Sequence, residues 1–400
     1  MTTDKKDRIP NAPVLRFPEF ADGWKECELK DIAQISKGSG ISKDQLSETG
    51  KPCVLYGELY TKYKSEVITE ILSKTNLEES HMVYSRENDV IIPSSGETAV
   101  DISTARCVPF DNILLGGDLT IIRLKEQDGR FFSYQLNGVR KLDIARIAQG
   151  VSVVHLYGDN LKRLKVTFPT IAEQNKISVF LSLVDKRIET QSRAIEKLQS
   201  LISGITQKVS KHPSVQKTML SDVLMERNEK NQKLLPVYSV SVSEGVVNQV
   251  EYLGRSFAAK DTSNYNVVYF GDIVYTKSPT GDFPFGIVKR SNNADKVAVS
   301  PLYGVYQPAS EDIGIYLHYY FCSSLNAKNY LHKLIQKGAK NTINITNQRF
   351  LENEVPIPDP LTLRKYVVLM TSLSKKLEQE KNLLALLQTQ KQFLLQEMFI

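Results

Sequence analysis

A heptad pattern that occurs twice is the feature that most constrains the fold of this 400-residue sequence. It starts at Ile177, and positions 177, 181, 184, 188, 191, 195, 198, 202, 205 and 209 follow in alternating steps of four and three. The same steps begin again at Tyr366 and end at Met398. Such spacing places side chains on one face of a long helix. The sequence therefore predicts two long helices, each with a largely apolar seam.

Residues outside the seam indicate that the pattern is an internal repeat. The polar interruption of the seam recurs, as Gln191 in the first copy and Glu380 in the second. One ungapped register for seam and non-seam positions indicates a duplicated unit of about 190 residues. Each unit comprises a globular region with short β-type runs, followed by a long helix. The non-seam residues with an identical counterpart in the second copy are Lys176, Lys186, Glu189, Gln199 and Gln207, which recur as Lys365, Lys375, Glu378, Gln388 and Gln396.

These patterns predict an α+β fold. We expect two mixed α/β recognition domains separated by two long antiparallel coiled-coil helices, with a pseudo-twofold internal repeat. The predicted segments are 1–170 and 213–359 for the domains, and 171–212 and 360–400 for the helices. A seam can also form an oligomeric coiled coil, but the tether within one chain favours intramolecular pairing. The residues expected to pair the helices are Ile177, Leu181, Val184, Ile188, Gln191, Ile195, Leu198, Tyr366, Met370, Leu373, Leu377, Glu380, Leu384 and Leu387.

Composition narrows the classes of protein. Hydrophobic residues make up 41% of the chain, which excludes a mostly disordered protein. Lysine and arginine exceed the acidic residues by 51 to 45, a mild basic excess that is compatible with nucleic acid as a partner. The four cysteines have no metal-type spacing, and no apolar run is long enough to span a membrane. The charged start lacks an apolar signal core, so we expect a cytoplasmic protein.

Common catalytic signatures do not occur in the sequence. It contains no GxxxxGK[ST], HExxH or GxSxG motif, and its five histidines lack metal-ligand spacing. We therefore expect a binding protein without catalytic residues or a bound metal. A nuclease with unrecognised carboxylates is an open alternative, as is a helical adaptor or dimerisation protein without sequence-specific DNA binding.

Two related domains on a helical spacer fit a target with two separated half-sites. The seam from 177 to 209 corresponds to about 48 Å of helix, and successive turns of DNA lie about 34–36 Å apart. Basic, aromatic, hydroxyl and amide side chains supply contacts to phosphates and base edges. The DNA-binding candidates are Lys37, Ser39, Tyr56, Tyr60, Lys62, Tyr63, Lys64, Ser94, Ser95, Gln149, Ser152, Lys277, Ser278, Thr280, Lys289, Arg290, Lys337, Lys340, Asn341 and Asn344.

Three segments resemble those of a known family: the segment 15–20 with Trp24, the loop and strand 150–157, and the helix start 168–177. Through them the chain as a whole resembles the specificity subunit of type I restriction-modification systems. The second helix start, 360–366, departs from the pattern of the first.

The resemblance implies a subunit that performs no catalysis itself. Each recognition domain would read one half of a bipartite double-stranded DNA target, and the helices would set the gap. Two modification subunits, which carry S-adenosylmethionine and methylate adenine at N6, would dock on the chain, and restriction (motor) subunits would complete the endonuclease. No cofactor is expected on this chain. Accordingly, it lacks the NPPY or DPPY motif, because Asp359-Pro360 is followed by Leu361-Thr362.

Overall fold

The computed structural model describes residues 10–77, 81–255, 258–337 and 343–400. The chain divides into two compact units. The first unit comprises Met1–Ser192 and Asn382–Ile400, and the second comprises Arg193–Lys381. Both boundaries fall inside the long helices, so each unit contains part of each helix.

The first unit is built from short strands and short helices. Its strands are β1 (Lys25–Glu28), β2 (Ala33–Lys37), β3 (Leu46–Ser47), β4 (Lys51–Val54), β5 (Ser73–Thr75), β6 (Asp89–Pro93), β7 (Ser95–Gly96), β8 (Arg106–Val108), β9 (Leu114–Leu115), β10 (Leu119–Leu124), β11 (Val154–His155) and β12 (Lys165–Phe168). Its helices are α1 (Leu29–Ile32), α2 (Glu58–Thr61), α3 (Ala99–Ile102), α4 (Gly129–Asn137), α5 (Lys141–Ile147), α6 (Gly158–Lys162) and the first part of α7 (Ile171–Ser210).

The second unit uses the same kinds of element. Its strands are β13 (Gln216–Met219), β14 (Leu224–Glu226), β15 (Val237–Ser241), β16 (Gly245–Asn248), β17 (Asn266–Val268), β18 (Ile273–Thr276), β19 (Ile287–Arg290), β20 (Val297–Val299), β21 (Gly304–Pro308), β22 (Gln336–Lys337), β23 (Ile343–Asn344) and β24 (Glu354–Ile357). Its helices are α8 (Leu220–Val223), α9 (Gln249–Leu253), α10 (Glu311–Cys322), α11 (Ser324–His332), α12 (Asn347–Phe350) and the first part of α13 (Pro360–Glu397).

Strand order shows that the two units share one topology. The first unit has an antiparallel sheet in the order β2-β10-β6-β8, and the second has β14-β21-β18-β19. In each unit the first and last strands, β1 with β12 and β13 with β24, form a separate antiparallel pair before the long helix. The other four-stranded sheets, β3-β5-β4-β9 and β16-β15-β20-β17, come from equivalent parts of the repeat but differ in strand order. The predicted mixed α/β class with an internal repeat and two long helices is thus confirmed.

Equivalent polar contacts accompany this topology in both units. Asp89 at the start of β6 accepts hydrogen bonds from Arg123 at 2.8 and 2.6 Å. Asp272, directly before β18, accepts them from Arg227 at 2.7 and 3.1 Å. Both aspartates are almost fully buried. An ion pair therefore fixes the same strand start in each unit, although Arg123 belongs to β10 and Arg227 directly follows β14.

The long helices pair in an antiparallel way, which follows from each unit taken by itself. In the first unit, Ile177 and Leu181 of α7 share a core with Leu394 and Met398 near the end of α13. In the second unit, the Thr206 hydroxyl near the end of α7 lies 2.9 Å from the Tyr366 hydroxyl near the start of α13. Every seam position from 177 to 209 and from 366 to 398 is buried or half-buried.

Neither long helix, nor any other helix in the described ranges, has an apolar stretch that could cross a membrane.

Candidate nucleic-acid interface

In the first unit, two loops that are far apart in sequence meet beside the central sheet. Ser95 and Gly96 of β7, directly after β6, pair with His155 and Val154 of β11. The hairpin that ends in β11 is closed by two backbone hydrogen bonds between Gln149 and His155, at 2.9 and 2.7 Å. Residues 95–97, residues 149–155 and Tyr60 are called the hairpin surface below.

The turn of this hairpin requires glycine. Gly150 has a φ of +122°, and a Cβ there would lie 2.1 Å from the Val153 carbonyl oxygen. The turn exposes the residues that follow, and Val151 is 97% exposed. A glycine turn with exposed side chains at its tip suits insertion into a groove of a ligand.

Tyrosines border the hairpin surface. A Cβ at Gly96 would lie 3.7 Å from the Tyr60 hydroxyl, so the ring stands beside β7. Burial, and to a smaller extent the neighbouring Tyr56, Asp101 and Glu97, raises the pKa of Tyr60, which keeps its hydroxyl protonated and able to donate. The exposed rings of His155 and Tyr157 stack with their centroids 6.1 Å apart.

Sequence reasoning identified part of this surface. The structure brings four candidates together here: Tyr60, Ser95, Gln149 and Ser152. Sequence reasoning missed four exposed residues of this region: Val151, Val153, His155 and Tyr157. The sequence feature that could have identified them is a run of β-branched and aromatic residues directly after a turn glycine. Apolar and aromatic groups at a loop tip contact thymine methyls and stack on bases.

Other candidates of the first unit lie elsewhere on its surface. Lys62 is half exposed and pairs with Glu58 at 2.6 Å, and Lys64 donates to the Thr61 carbonyl at 3.1 Å. Lys37 is exposed at the end of β2, and Tyr56 is half-buried. Ser39 is half-buried, and its hydroxyl accepts from the Val83 N–H at 3.0 Å.

Three candidates of the first unit lie inside the domain. Tyr63 is buried, and its hydroxyl accepts from the Leu72 N–H at 3.3 Å. Ser94 is buried with its hydroxyl 2.7 Å from that of Thr120. The Ser95 side chain is buried too, so this residue contributes to the hairpin surface through its strand pairing. Their hydroxyls suggested surface contacts, but the fold buries all three residues.

The second unit presents a corresponding loop after β18. Ser278 and Thr280 are exposed and Lys277 is half-buried. Burial lowers the pKa of Lys277, against the opposing charge of Glu226. The loop turns at Thr280 and Phe283, whose backbones exchange hydrogen bonds at 3.1 and 2.8 Å.

The remaining candidates of the second unit divide into two groups. Lys289 and Arg290 belong to β19 and are buried, which removes them from the surface. Lys337 and Asn344 lie in β22 and β23, which form a hairpin at the position of the first unit's hairpin. Lys340 and Asn341 lie outside the described residues.

A second feature that sequence reasoning missed is an apolar patch that occurs once on each long helix. Val179 and Phe180 of α7 are 51% and 36% exposed. Val368 and Leu369, their counterparts in the repeat on α13, are 58% and 45% exposed. These four residues, called the repeated helix patch, lie off the seam. The signal in the sequence is a pair of apolar residues beside the seam at the same register in both helices.

Within the described parts of the chain, no group of three or more histidine, cysteine, aspartate or glutamate side chains is arranged to hold a metal ion.

Fold and site together define a protein with duplicated binding domains, each followed by a long helix. A family model described as the type I restriction modification DNA specificity domain matches residues 21–200. The chain is 27% identical over 173 residues to S.HindORF215P of Haemophilus influenzae, named as a candidate type I restriction enzyme specificity subunit. It is 23% identical over 233 residues to the type I restriction enzyme MjaVIII specificity subunit of Methanocaldococcus jannaschii. These matches cover 43% and 55% of this chain, and 42% and 50% of the relatives' own lengths.

Solved structures show the same fold. The type I restriction-modification S subunit of M. genitalium superposes with a TM-score of 0.62 at 16% identity, over 97% of this chain and 99% of that one. A chain from a structure on complex assembly and conformational transition of the type I R-M system superposes with a TM-score of 0.52 at 14% identity, over 96% and 98% of the two chains. In sequence and in fold the chain is thus similar to type I restriction-modification specificity subunits, which confirms the resemblance of its motifs.

Proposed function

We propose that this chain is the DNA sequence-specificity subunit of a type I restriction-modification complex, in which each unit reads one half of a bipartite DNA target. The observation that supports this most directly is the repeated topology. In both units, β6 or β18 delivers a loop, and a hairpin precedes the last strand before the long helix. Two related but different loop sets suit two different half-sites.

The chemistry of the hairpin surface fits base recognition in a groove. The amide of Gln149 can donate and accept in one plane, as recognition of adenine requires, and the Ser152 hydroxyl can do either. Val151 at the tip suits contact with a thymine methyl. Exposed lysines elsewhere on this unit, such as Lys37 and Lys64, can supply the phosphate contacts that give affinity without sequence preference.

The repeated helix patch supports docking of two copies of one partner. Exposed apolar pairs mark surfaces that another protein covers. Their recurrence in the register of the repeat offers an apolar pair at the same position of both helices. We propose that the partners are two methyltransferase (modification) subunits that bind S-adenosylmethionine and methylate adenine at N6, and that restriction subunits join this core. In this proposal the present chain binds no cofactor and carries out no catalysis.

DNA selection on the chain purified with its partner methyltransferase tests this function. We expect enrichment of one split motif, consisting of two short half-sites with a fixed gap. A selection that enriches no motif from a folded, partner-bound chain would contradict the proposal and favour a helical adaptor.

A double substitution tests whether the hairpin surface of the first unit reads one half-site. Gln149→Ala with Ser152→Ala removes two exposed polar side chains from the hairpin surface without touching the core. We expect relaxed preference at one half-site only, with the other half-site and the gap unchanged. As a control, Ser300→Ala alters a half-buried hydroxyl of the second unit outside the loop after β18 and its hairpin, and we expect it to leave both half-sites unchanged.

A further inference from the structure

A cluster of three polar side chains lies inside the second unit, apart from its loop after β18 and its hairpin. Cys322 near the end of α10 has its sulphur 3.3 Å from Lys289 Nζ on β19 and 3.8 Å from His318 Nε2, one turn earlier on α10. His318 Nδ1 accepts a hydrogen bond from the Arg290 N–H at 3.2 Å. His318 Nε2 faces the sulphur, and its N–H can donate to it.

Charge balance at Lys289 requires an anion. The residue is 5% exposed, and a buried ammonium is strongly destabilising unless it is paired. In the described part of the chain, the side-chain hydrogen bond of Lys289 goes to the Cys322 sulphur. A thiolate at Cys322 supplies the negative charge.

The first unit has a buried cation at the equivalent place, because Arg106 lies opposite Ile91 in β8, as Lys289 lies opposite Val274 in β19. Arg106 donates to the carbonyls of Leu59 and Tyr63 at 3.1 and 2.9 Å. Burial lowers its pKa, and the negative charges of Glu66 and Asp185 counteract this effect. The counterpart of Asp185 in the repeat is Ser374, so the second unit lacks that carboxylate, and the Cys322 sulphur lies beside its cation instead.

We propose that Cys322 is held as a thiolate and is a site of S-thiolation by low-molecular-weight disulfides. The thiolate attacks one sulphur of the disulfide, a bond from Sγ to that sulphur forms, and the original S–S bond breaks. The other half leaves as a thiolate and takes a proton from water. The disulfide is thereby reduced, and Cys322 is oxidised to a mixed disulfide.

The direction of the pKa shift distinguishes Cys322 from the other three cysteines. Burial raises the pKa of its thiol, but the charges and hydrogen bonds of His318 and Lys289 outweigh this and lower it to about 6. Burial raises the pKa of Cys53 to about 11, and it also raises those of Cys107 and Cys27.

Two tyrosines also lie near the sulphur. Tyr319 of α10 and Tyr366 of α13 lie in the same electrostatic environment. Burial raises the pKa of both hydroxyls, so they remain neutral where Cys322 titrates. The residue as a whole is half-buried, so reaction with an external reagent tests whether its sulphur is reached.

Peptide mapping of the full chain after brief treatment with iodoacetamide, at a series of pH values from 5 to 8.5, tests the thiolate. We expect the alkylation rate of Cys322 to rise with a midpoint near pH 6 and to level off by about pH 7. Cys27, which is also half-buried, is the internal control, and its rate should climb about tenfold per pH unit throughout. The same profile for both cysteines would overturn the proposal.

Oxidised glutathione is the probe for S-thiolation itself. At pH 7 we expect a mixed disulfide at Cys322 before one forms at any other cysteine, seen as added mass on its peptide. Lys289→Met should move the alkylation midpoint up by at least one pH unit, and Lys296→Met, an exposed lysine, should not. Failure of glutathione to modify Cys322 in the folded chain, while the denatured chain reacts, would overturn the site. These readouts involve no DNA, so they stand or fall separately from the proposed function.

Discussion

Lys391 Nζ lies 2.6 Å from Asp185 Oδ1 and also contacts the Glu66 carboxylate, inside the first unit. Lys391 occupies a seam position whose counterpart in the first helix is the buried Ile202. Asp185 in turn accepts a hydrogen bond from the Tyr134 hydroxyl at 2.7 Å. The end of α13 is therefore held on the first unit by a charge that the other copy of the seam lacks.

Lys391→Ala should strongly destabilise the first unit. The substitution leaves two carboxylates, Glu66 and Asp185, buried without their shared cation. Breaking a buried ion pair on one side costs about 3–5 kcal/mol. The only tryptophan, Trp24, lies in the core of this unit with its ring centroid 6.3 Å from that of Phe399. Its fluorescence during denaturant unfolding therefore reports the loss.

Lys186→Ala, an exposed position on α7, is the control for that experiment. We expect its unfolding midpoint to equal that of the unsubstituted chain within experimental error. If Lys391→Ala also unfolded at the midpoint of the unsubstituted chain, the buried network would contribute nothing to the docking of α13.

The equivalent aspartates Asp89 and Asp272 allow a matched pair of substitutions. Each Asp→Asn change removes the charge that fixes a strand start and weakens two hydrogen bonds from an arginine. Loss of a charged hydrogen-bonding partner costs about 2 kcal/mol. Asp89→Asn should lower the midpoint of the Trp24 transition. Asp272→Asn should lower the midpoint of far-ultraviolet circular dichroism with a smaller effect on Trp24. Identical effects on both probes would contradict unit-specific stabilisation.

We expect a thiolate at Cys322 to make the free energy of unfolding depend on pH. Its pKa is about 6 in the folded chain and near its ordinary value, about 9, in the unfolded chain. Between these values the unfolded state binds more protons, so the free energy of unfolding rises with pH. This contribution is fully present above pH 9 and is lost as the pH falls through 6. Cys322→Ser should therefore reduce the increase in unfolding midpoint between pH 6 and pH 9. An unchanged slope in this variant would mean that the cysteine is a thiol in the folded chain.

Periodicity and register were readable from the sequence because they are local properties. The seams and the repeat needed only spacing and residue type. The burial of Lys289, Arg290 and Tyr63 was not readable, because it depends on partners from distant strands and helices. Basic or hydroxyl side chains therefore suggested a surface that the fold does not give them.

The same limit applied to polar networks and loops. Lys391 stands in a seam of mostly apolar residues, yet its partner Glu66 is 325 residues away in sequence. The meeting of β7 with β11 depends on a strand pair that joins residues 95 and 155. Sequence spacing predicts which residues share a helix face, but it does not predict which loops pair across a domain.

Gly150→Ala should impair recognition by the first unit. The positive φ and the 2.1 Å approach of a Cβ to the Val153 oxygen force the turn of the hairpin to change. In DNA selection we expect a weakened or altered preference at one half-site, with little loss of thermal stability, because the turn is exposed. Gly204→Ala is the control, because a Cβ there meets no atom within 4 Å. Full retention of both half-sites by Gly150→Ala would remove the hairpin from the recognition surface.

Lengthening both long helices equally tests whether they set the gap between half-sites. Seven residues inserted after Ser192 and seven after Lys381 fall at the boundaries of the compact units and preserve the heptad register. One heptad adds about 10 Å to a helix, which corresponds to about three base pairs of DNA at about 3.4 Å each. DNA selection should therefore return the same two half-sites with a gap about three base pairs longer. Insertion into α7 alone is the control, because it breaks the match between the seams and should destabilise the chain. If the doubly extended chain kept the original gap, the helices would connect the domains without measuring the distance between them.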